Sequence, residues 1–305
     1  MNDTSAGADL VQPGLQAGSG VAACPPLQSF LRLRHEAQIA MGDCQAASFY
    51  FGVLNVAPKL ALGKLTLAGC TPGAFSLQAH DGSVRLVPTG TRSDYWTALH
   101  DHLAAGATVM QVPEWAAMAL KPHYKVEKQQ DEFLISEWRL RTLAGGRLSR
   151  LRAYMHEGMR RLIIAPMTNP DPYIALNAKW YQQNRALKFR TYDKTSIEWV
   201  LRNWHDLKDW CPDICCLGAR DADTMELVGF AMGSMLTKDT WSCYTRRFDR
   251  ESPVHSPHIL AFQSLGARFP KAAYENDGTG GDATLRKDKS RMAEATLSFY
   301  TVRLK

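Results

Sequence analysis

Apolar positions along this chain repeat at two distinct steps, every second residue or every third to fourth, and the switches between them mark its elements. Residues 27–40 place Phe30, Leu31 and Ile39 on one side of a predicted helix. Residues 48–53 and 65–67 read as strands. Residues 74–78 and 84–87 flank Asp81-Gly82 and read as a hairpin. A short helix over 95–104 and a strand over 108–112 complete a mixed unit. A strand over 131–135 leads out of it.

Beyond Gly145-Gly146, Leu148, Leu151, Met155, Met159 and Leu162 recur at steps of three and four, which predicts an amphipathic helix. Arg147, Arg150 and Arg161 fall on one flank of that stripe, with Tyr154 among them. Such a border can hold phosphates and stack a base, although Tyr154 also suits the edge of a core. Residues 167–172 form a break. Thr195-Ser196-Ile197-Glu198 fits a capping box, and the helix it opens carries Ile197, Val200, Leu201, Trp204 and Leu207 on one face. Trp204 and Trp210 are expected in the core. The period then shortens: strands over 214–217 and 227–235 flank a turn at Asp221-Ala222-Asp223, and a third strand covers 241–248. A helix over 258–268, a strand over 272–274, a basic helix over 285–292 and a strand over 296–302 follow. Helix, hairpin, strand, helix, strand, helix, strand suits a single sheet with helices on its faces. It is also the order found in GCN5-related N-acetyltransferases.

Composition narrows the class. A chain of 305 residues can form two domains of ordinary size, and 45% hydrophobic with 22% charged residues is normal for a globular protein. No run approaches the roughly 18–20 apolar residues needed to span a bilayer. Residues 1–25, rich in Gly, Ala, Ser and Asp, read as a disordered leader without the basic start and apolar core of a signal peptide, so a cytoplasmic protein is expected. Seven cysteines show no CxxC spacing. Buried free thiols account for them better than a metal site, and none is assigned.

The net charge of +6 matters less than its distribution. Between residues 139 and 161 the chain carries Arg139, Arg141, Arg147, Arg150, Arg152, Arg160 and Arg161 against Glu157 alone. That block points to a polyanionic partner such as RNA, phosphates or acidic lipid headgroups; a solvated helix face is the competing reading. Near the end of the chain, Asn276-Asp277-Gly278-Thr279-Gly280-Gly281 runs into Leu285-Arg286 and Lys289. A glycine-rich loop entering a basic helix frees backbone N–H groups beside positive charge. An ordinary strand-to-helix connection, with Asn276 and Asp277 capping the turn, remains open beside it.

Two segments resemble one family, the soluble relatives of the lysyl-phosphatidylglycerol synthase catalytic region. Asp131-Glu132-Phe133-Leu134, Leu143-Ala144-Gly145-Gly146-Arg147-Leu148 and Arg150-Leu151-Arg152 resemble its linking strand, turn and basic helix. Asn276-Asp277, Gly280-Gly281, Leu285-Arg286 and Lys289 resemble its C-terminal signature, and Val228-Gly229-Phe230 its hairpin strand. Arg152-Ala153-Tyr154 stands where a Lys-Arg-Asn-like run is expected, and no proline follows the last Lys.

The resemblance implies an α/β fold of tandem acetyltransferase-like domains, over 26–130 and 166–305, joined by a strand and basic helix over 131–165. It also implies transfer of an aminoacyl group from a charged tRNA to a phospholipid headgroup or a small amine or hydroxyl compound.

The loop 249–258 bears on the donor independently. Acetyl-CoA enzymes of this fold grip pyrophosphate with a glycine-rich turn at this point. Here the stretch has no glycine, and Pro253 and Pro257 each remove an N–H. A donor held by cationic side chains is favoured, and charged tRNA fits as co-substrate, with no bound cofactor and acyl-CoA less favoured. The expected donor-binding set is Arg147, Arg150, Arg152, Tyr154, Gly280, Gly281, Arg286 and Lys289. The proton released by the acceptor needs a destination, for which Asp249, His255 and Asp277 are candidates, with Asn276 beside them. Asp249 could instead pair with Arg246 or Arg250. A non-catalytic RNA- or anion-binding protein on the same scaffold is the rival from another class.

Overall fold

A computed structural model describes residues 27–32, 48–71, 73–89, 91–184, 191–279 and 283–305. The leader, most of the predicted first helix, and Gly280 and Gly281 lie outside the described residues. Among the described residues the strands form one eleven-stranded sheet in the order β1-β2-β3-β4-β11-β5-β10-β9-β8-β7-β6. The first half comprises α1 (Val53–Ala61), the meander β1 (Leu65–Thr71), β2 (Ala74–Ala79) and β3 (Val84–Pro88), then α2 (Arg92–Ala104), β4 (Val109–Pro113) and α3 (Glu114–Leu120). A long strand, β5 (Lys125–Ser136), then leads through α4 (Glu137–Thr142) to α5 (Ser149–Arg161) and the edge strand β6 (Leu162–Pro166). The second half adds α6 (Asp171–Gln183), α7 (Thr191–Arg202) and α8 (Trp204–Trp210), then β7 (Ile214–Asp221), β8 (Leu227–Met235) and β9 (Thr240–Phe248). It closes with α9 (His258–Gly266), β10 (Tyr274–Asn276), α10 (Ala283–Met292) and β11 (Ala295–Arg303).

Local chemistry explains several joints. Asp81 Oδ1 accepts from Ser83 N and Oγ at 2.9 and 2.6 Å, and Gly82 takes the positive φ the β2–β3 turn requires. Thr91 and Asp94 form a reciprocal capping box on α2. At the turn before α5, Leu143 adopts φ 46° and Gly145 φ 106°, and the Arg152 guanidinium holds both of their carbonyls.

Three apolar clusters fill the two faces. The first packs Phe51, Leu54, Phe75 and Leu77 against Tyr173, Trp204, Phe230 and Met232, so side chains from both halves of the chain share it. The second joins Ile135, Met155, Leu217, Phe262 and Met292 around Trp241, which stacks on Phe269 at 5.2 Å. Such a ring pair contributes about 0.5–1.5 kcal/mol beyond the area it buries. The third lies under α2 and α3. Cys211, Cys216 and Cys243 are free and buried, whereas Cys70 is exposed. Among the described residues no helix is long and apolar enough to cross a membrane.

The mixed α/β class and the sheet flanked by helices are as the pattern predicts, but several elements differ. Residues 49–51 form a 3-10 turn into α1 rather than a strand, because Val53, Leu54, Ala57 and Leu60 bury at helical spacing. The box at 195–198 lies inside α7, which starts at Thr191. Trp210 and Met159 are exposed, at 44% and 63%. The strand expected over 272–274 occupies Tyr274–Asn276, because Ala272 N bonds back to Phe269 O while Glu275 and Asn276 are buried in the sheet. Glu114–Leu120, Glu137–Thr142 and Trp204–Trp210 are separate short helices the pattern does not resolve.

Gly73 lets the β1–β2 turn touch the first turn of α2: a Cβ there would sit 2.0 Å from Asp94 O. Gly73→Ala should therefore lower stability by about 1–3 kcal/mol in urea unfolding. Gly146→Ala, where nothing lies within 4 Å, should change it by less than about 0.5 kcal/mol. Equal effects would refute the close-packing argument.

Candidate active site

β9 and β10 run parallel for three pairs, Thr240–Ser242 against Tyr274–Asn276, and then part. β9 continues to Phe248, whereas the other chain leaves the sheet at Asp277. Side chains close this opening. Arg246 donates to both carboxylate oxygens of Asp277, at 2.8 and 2.7 Å, with its guanidinium carbon 4.2 Å from the Phe262 ring centre. From α10, Lys289 Nζ lies 3.4 Å from Asp277 Oδ1 and donates to the carbonyls of Asp277 and Thr279. All three charged groups are largely removed from water. Glu275, fully buried beside them, has no hydrogen-bond partner for either carboxylate oxygen among the described residues. Burial first, and then the Asp277 charge, push its carboxyl well above the ordinary range. With Glu275 neutral, this cluster combines the Arg246 and Lys289 cations with the Asp277 carboxylate. Its excess positive charge suits a phosphate or a developing oxyanion.

Asn276 points to the opposite side of the sheet. Its Nδ2 donates to Glu132 Oε2 at 2.9 Å and its Oδ1 accepts from Gly278 N at 2.8 Å. Ser48 Oγ and Gln130 Nε2 both donate to Glu132 Oε1, at 2.5 and 2.6 Å. Asp277 N donates to Phe133 O at 2.9 Å, so β5 anchors the start of the glycine loop.

The positive block divides into separate tasks. Arg147, Lys287, Ser290 and Arg291 line a cleft of about 430 Å³. Arg139 braces it by donating to Arg291 O at 3.0 Å, and Arg286 is exposed on the same helix. Arg150 donates through Nε to the Tyr154 hydroxyl at 2.5 Å, and the Tyr154 ring lies 5.3 Å from that of His255. Arg161 reaches Glu157 and the carbonyl of Pro253, each at 3.3 Å. The basic helix α5 thus runs along the loop that precedes α9.

The structure brings Arg147 together with α10, and Tyr154 together with His255. It gives other predicted residues fixed structural partners. Arg152 holds the Gly145 turn, and Lys289 holds the glycine loop from inside rather than facing solvent. Asp249 accepts from Lys179 at 2.9 Å and Gln183 at 2.7 Å, tying its loop to α6 rather than pairing with Arg246 or Arg250. Burial works against that carboxylate, but the Gln183 and Lys179 hydrogen bonds outweigh it and hold its pKa below the usual range. Cys243 lies inside the sheet, where burial pushes its thiol up and removes it as a nucleophile at neutral pH.

Sequence reasoning missed Arg246 as the partner of Asp277, Glu132 as the hub of a network, and Glu275 altogether. The signal that could have found them was charge inside strands, since Arg246-Arg247 and Glu275 interrupt segments that are otherwise buried.

No family profile and no curated protein sequence match this chain. Solved structures do. A conserved protein of unknown function from Bacteroides thetaiotaomicron superposes with a TM-score of 0.73 at 16% identity, over 92% of this chain and 97% of that one. The C-terminal DUF2156 domain of a putative lysylphosphatidylglycerol synthetase from Agrobacterium fabrum gives 0.60 at 14% identity, over 92% and 93%. L-PGS from Bacillus licheniformis gives 0.62 at 13% identity, over 92% and 91%. The chain therefore shares the fold of the lysylphosphatidylglycerol synthetase C-terminal domain across nearly its whole length.

The ion cluster makes two predictions. Asp277→Asn leaves Arg246 and Lys289 facing each other without an anion, and should cost about 3–5 kcal/mol in urea unfolding; a loss below about 1 kcal/mol would refute it. Glu275 binds a proton in the folded chain that the unfolded chain, with the ordinary pKa of 4.5, has released at neutral pH. The wild type should therefore lose stability relative to Glu275→Gln as pH rises above that value, by up to about 1.4 kcal/mol per pH unit. Parallel stability–pH curves for the two proteins would show that Glu275 is ionised in the fold.

Proposed function

We propose that this protein is an acyltransferase that moves an aminoacyl group from a charged tRNA to the amine of a small acceptor. The cleft formed by Arg147, Lys287 and Arg291 is the observation that carries this reading, because its anion-binding groups are side-chain cations. Pro253 and Pro257 occupy the loop before α9, where each removes a main-chain N–H. That arrangement fits a donor held through phosphates by Arg and Lys better than a pyrophosphate cradled by main-chain amides. The shared fold with a lysylphosphatidylglycerol synthetase domain supports the same class of chemistry. Two acetyltransferase-like halves, 26–130 and 166–305 around the linking segment 131–165, belong to this reading.

In the reaction, the acceptor nitrogen attacks the ester carbonyl of the aminoacyl-tRNA. The new C–N bond forms as the C–O bond to the terminal ribose breaks, and the ribose oxygen takes up the proton the amine gives up. Arg246 and Lys289 supply positive charge beside the tetrahedral oxyanion, which their fixed partners hold in place without reorganisation. Asp249 and Asp277 are engaged by cations, so His255, exposed beside Tyr154, is the proton carrier with the freest access.

Incubation with a pool of radiolabelled charged tRNAs should give selective deacylation of one species. The triple variant Arg147→Ala, Lys287→Ala, Arg291→Ala should weaken tRNA binding at least tenfold and flatten its salt dependence by about 0.7–0.9 for each phosphate it no longer neutralises. A rise in melting temperature with acetyl-CoA, but none with charged tRNA, would favour acyl-CoA as donor. Salt-dependent RNA binding with no transfer to any amine would favour a non-catalytic role.

A further inference from the structure

The exposed tryptophan of α4 has no task in the mechanism above. Trp138 is 55% exposed, and its indole makes no hydrogen bond, ring contact or cation contact among the described residues. α4 turns one side inward: a Cβ on Gly266 of α9 would sit 3.0 Å from both Glu137 Oε2 and Leu140 Cδ2. At 100° per residue, Trp138 and Arg139 fall on the other side of the helix. That side meets α10. Ser136 Oγ donates to Glu294 Oε1 at 2.6 Å, and Arg139 Nη2 donates to Arg291 O at 3.0 Å. Trp138 stands between these two tethered residues, so its backbone is held against the end of α10. Arg291 in turn lines the cationic cleft with Arg147 and Lys287. The backbone of Trp138 therefore lies at the rim of that cleft, with an exposed indole one residue from the arginine that braces it.

A single exposed tryptophan is ordinary on a protein surface, and its neighbours decide what it can do. Trp210, 44% exposed, shares the short helix α8 with Asp206 and Asp209, which do not attract an anion. Trp138 instead adjoins Arg139 and the cations of α10, and the nearby Glu294 carboxylate is engaged by Ser136. Cations beside an exposed aromatic ring are the means by which proteins hold single-stranded nucleic acid: the cations follow the phosphates and the ring stacks on a base. A duplex presents its phosphates but keeps its bases stacked and paired, so it offers the indole nothing. The cleft volume of about 430 Å³ falls within the roughly 300–1,000 Å³ of pockets for small molecules, a size for a nucleotide rather than for a stem.

We propose that Trp138 is the base-stacking wall of the Arg147–Lys287–Arg291 cleft, and that this site takes the unpaired 3′ end of an RNA rather than a duplex stem. This rests on the tRNA reading above and deepens it, since the ester to be attacked is carried on that end. The indole contributes affinity without charge, through the face of a base. Arg147, Lys287 and Arg291 contribute charge without reading the base. The two contributions therefore separate by salt dependence, because ion pairing with phosphate releases counterions and stacking does not.

The test titrates the full-length protein with a short single-stranded RNA, an abasic oligonucleotide of equal length that keeps the phosphates, and a blunt RNA duplex. Wild type should bind the single strand about tenfold more tightly than the abasic chain, with quenching of tryptophan emission. Trp138→Ala should bind the single strand as weakly as wild type binds the abasic chain. Its melting temperature and the salt slope of its binding should match those of wild type. Trp138→Phe should keep most of the affinity and lose the quenching, and Trp210→Ala should change neither. Equal binding of the single strand and the abasic chain, tightest binding of the duplex, or unchanged affinity in Trp138→Ala would overturn the proposal. So would a lower melting temperature of Trp138→Ala with equal weakening toward every probe, which would mark the indole as structural. Single-strand binding through Trp138 without aminoacyl transfer would sink the transferase reading alone. Transfer by Trp138→Ala at the wild-type rate and tRNA affinity would sink this site alone.

Discussion

The parting of β9 and β10 after three backbone pairs is the constraint on which the rest of the second half depends. A sheet that stops pairing in its interior leaves polar backbone and apolar side chains in need of other partners. Here a charged pair takes the place of the missing ladder, Arg246 against Asp277, with Lys289 reaching in from α10. Removing three charges from water is expensive, and the attraction between them offsets that cost only when the geometry is good and the remaining donors are occupied. The pairing is close: Arg246 reaches both Asp277 oxygens through Nη2, and Lys289 also donates to two carbonyls of the glycine loop. One cluster therefore sets the width of the opening, the course of residues 277–279 and the seat of α10.

The same opening is tied to the far end of the chain's first half. β11 lies between β4 and β5, so the last strand pairs with strands from earlier in the sequence on both sides. Glu132 on β5 gathers Ser48 from the segment before α1 and Asn276 from the rim of the opening. Displacement of the first half would remove a hydrogen-bond donor from a buried carboxylate, an arrangement that penalises partial unfolding. The first half thus acts on the opening mechanically, whatever it binds itself.

These connections also show what the sequence could convey. Elements with strong periodicity were legible, as with the β2–β3 hairpin around Asp81-Gly82, helix α5, and the sequence of strands from β7 to β9. Legibility failed where burial and polarity coincide. Glu275 and Asn276 read as polar residues beyond a strand but are buried within it, because what surrounds them, Glu132 on β5 and the Arg246–Asp277 pair, comes from distant segments that periodicity cannot join. The strand expected over residues 48–53 failed for the converse reason. Their aromatic and β-branched content resembles a strand, while the spacing of Val53, Leu54, Ala57 and Leu60 is helical. At the site, residue type located the basic helices correctly but could not separate cations that hold the protein together from those that face solvent.

That separation carries the functional argument further. On α10 alone, Lys289 turns inward to the loop carbonyls while Lys287 and Arg291 turn outward to face Arg147 across the cleft. Two residues apart on a helix means about 200° apart around its axis, so adjacent lysines of one basic run must serve opposite environments. The inward cation is partnered whether or not a ligand arrives and fixes the shape of the site. The outward set includes Arg147, which follows a turn whose carbonyls Arg152 holds, so the backbone that carries it is braced. The cleft thus draws its charge from two separate elements, α10 and the turn that leads into α5. In the function proposed above each element engages a different phosphate, an arrangement suited to several spaced phosphates rather than to one pyrophosphate.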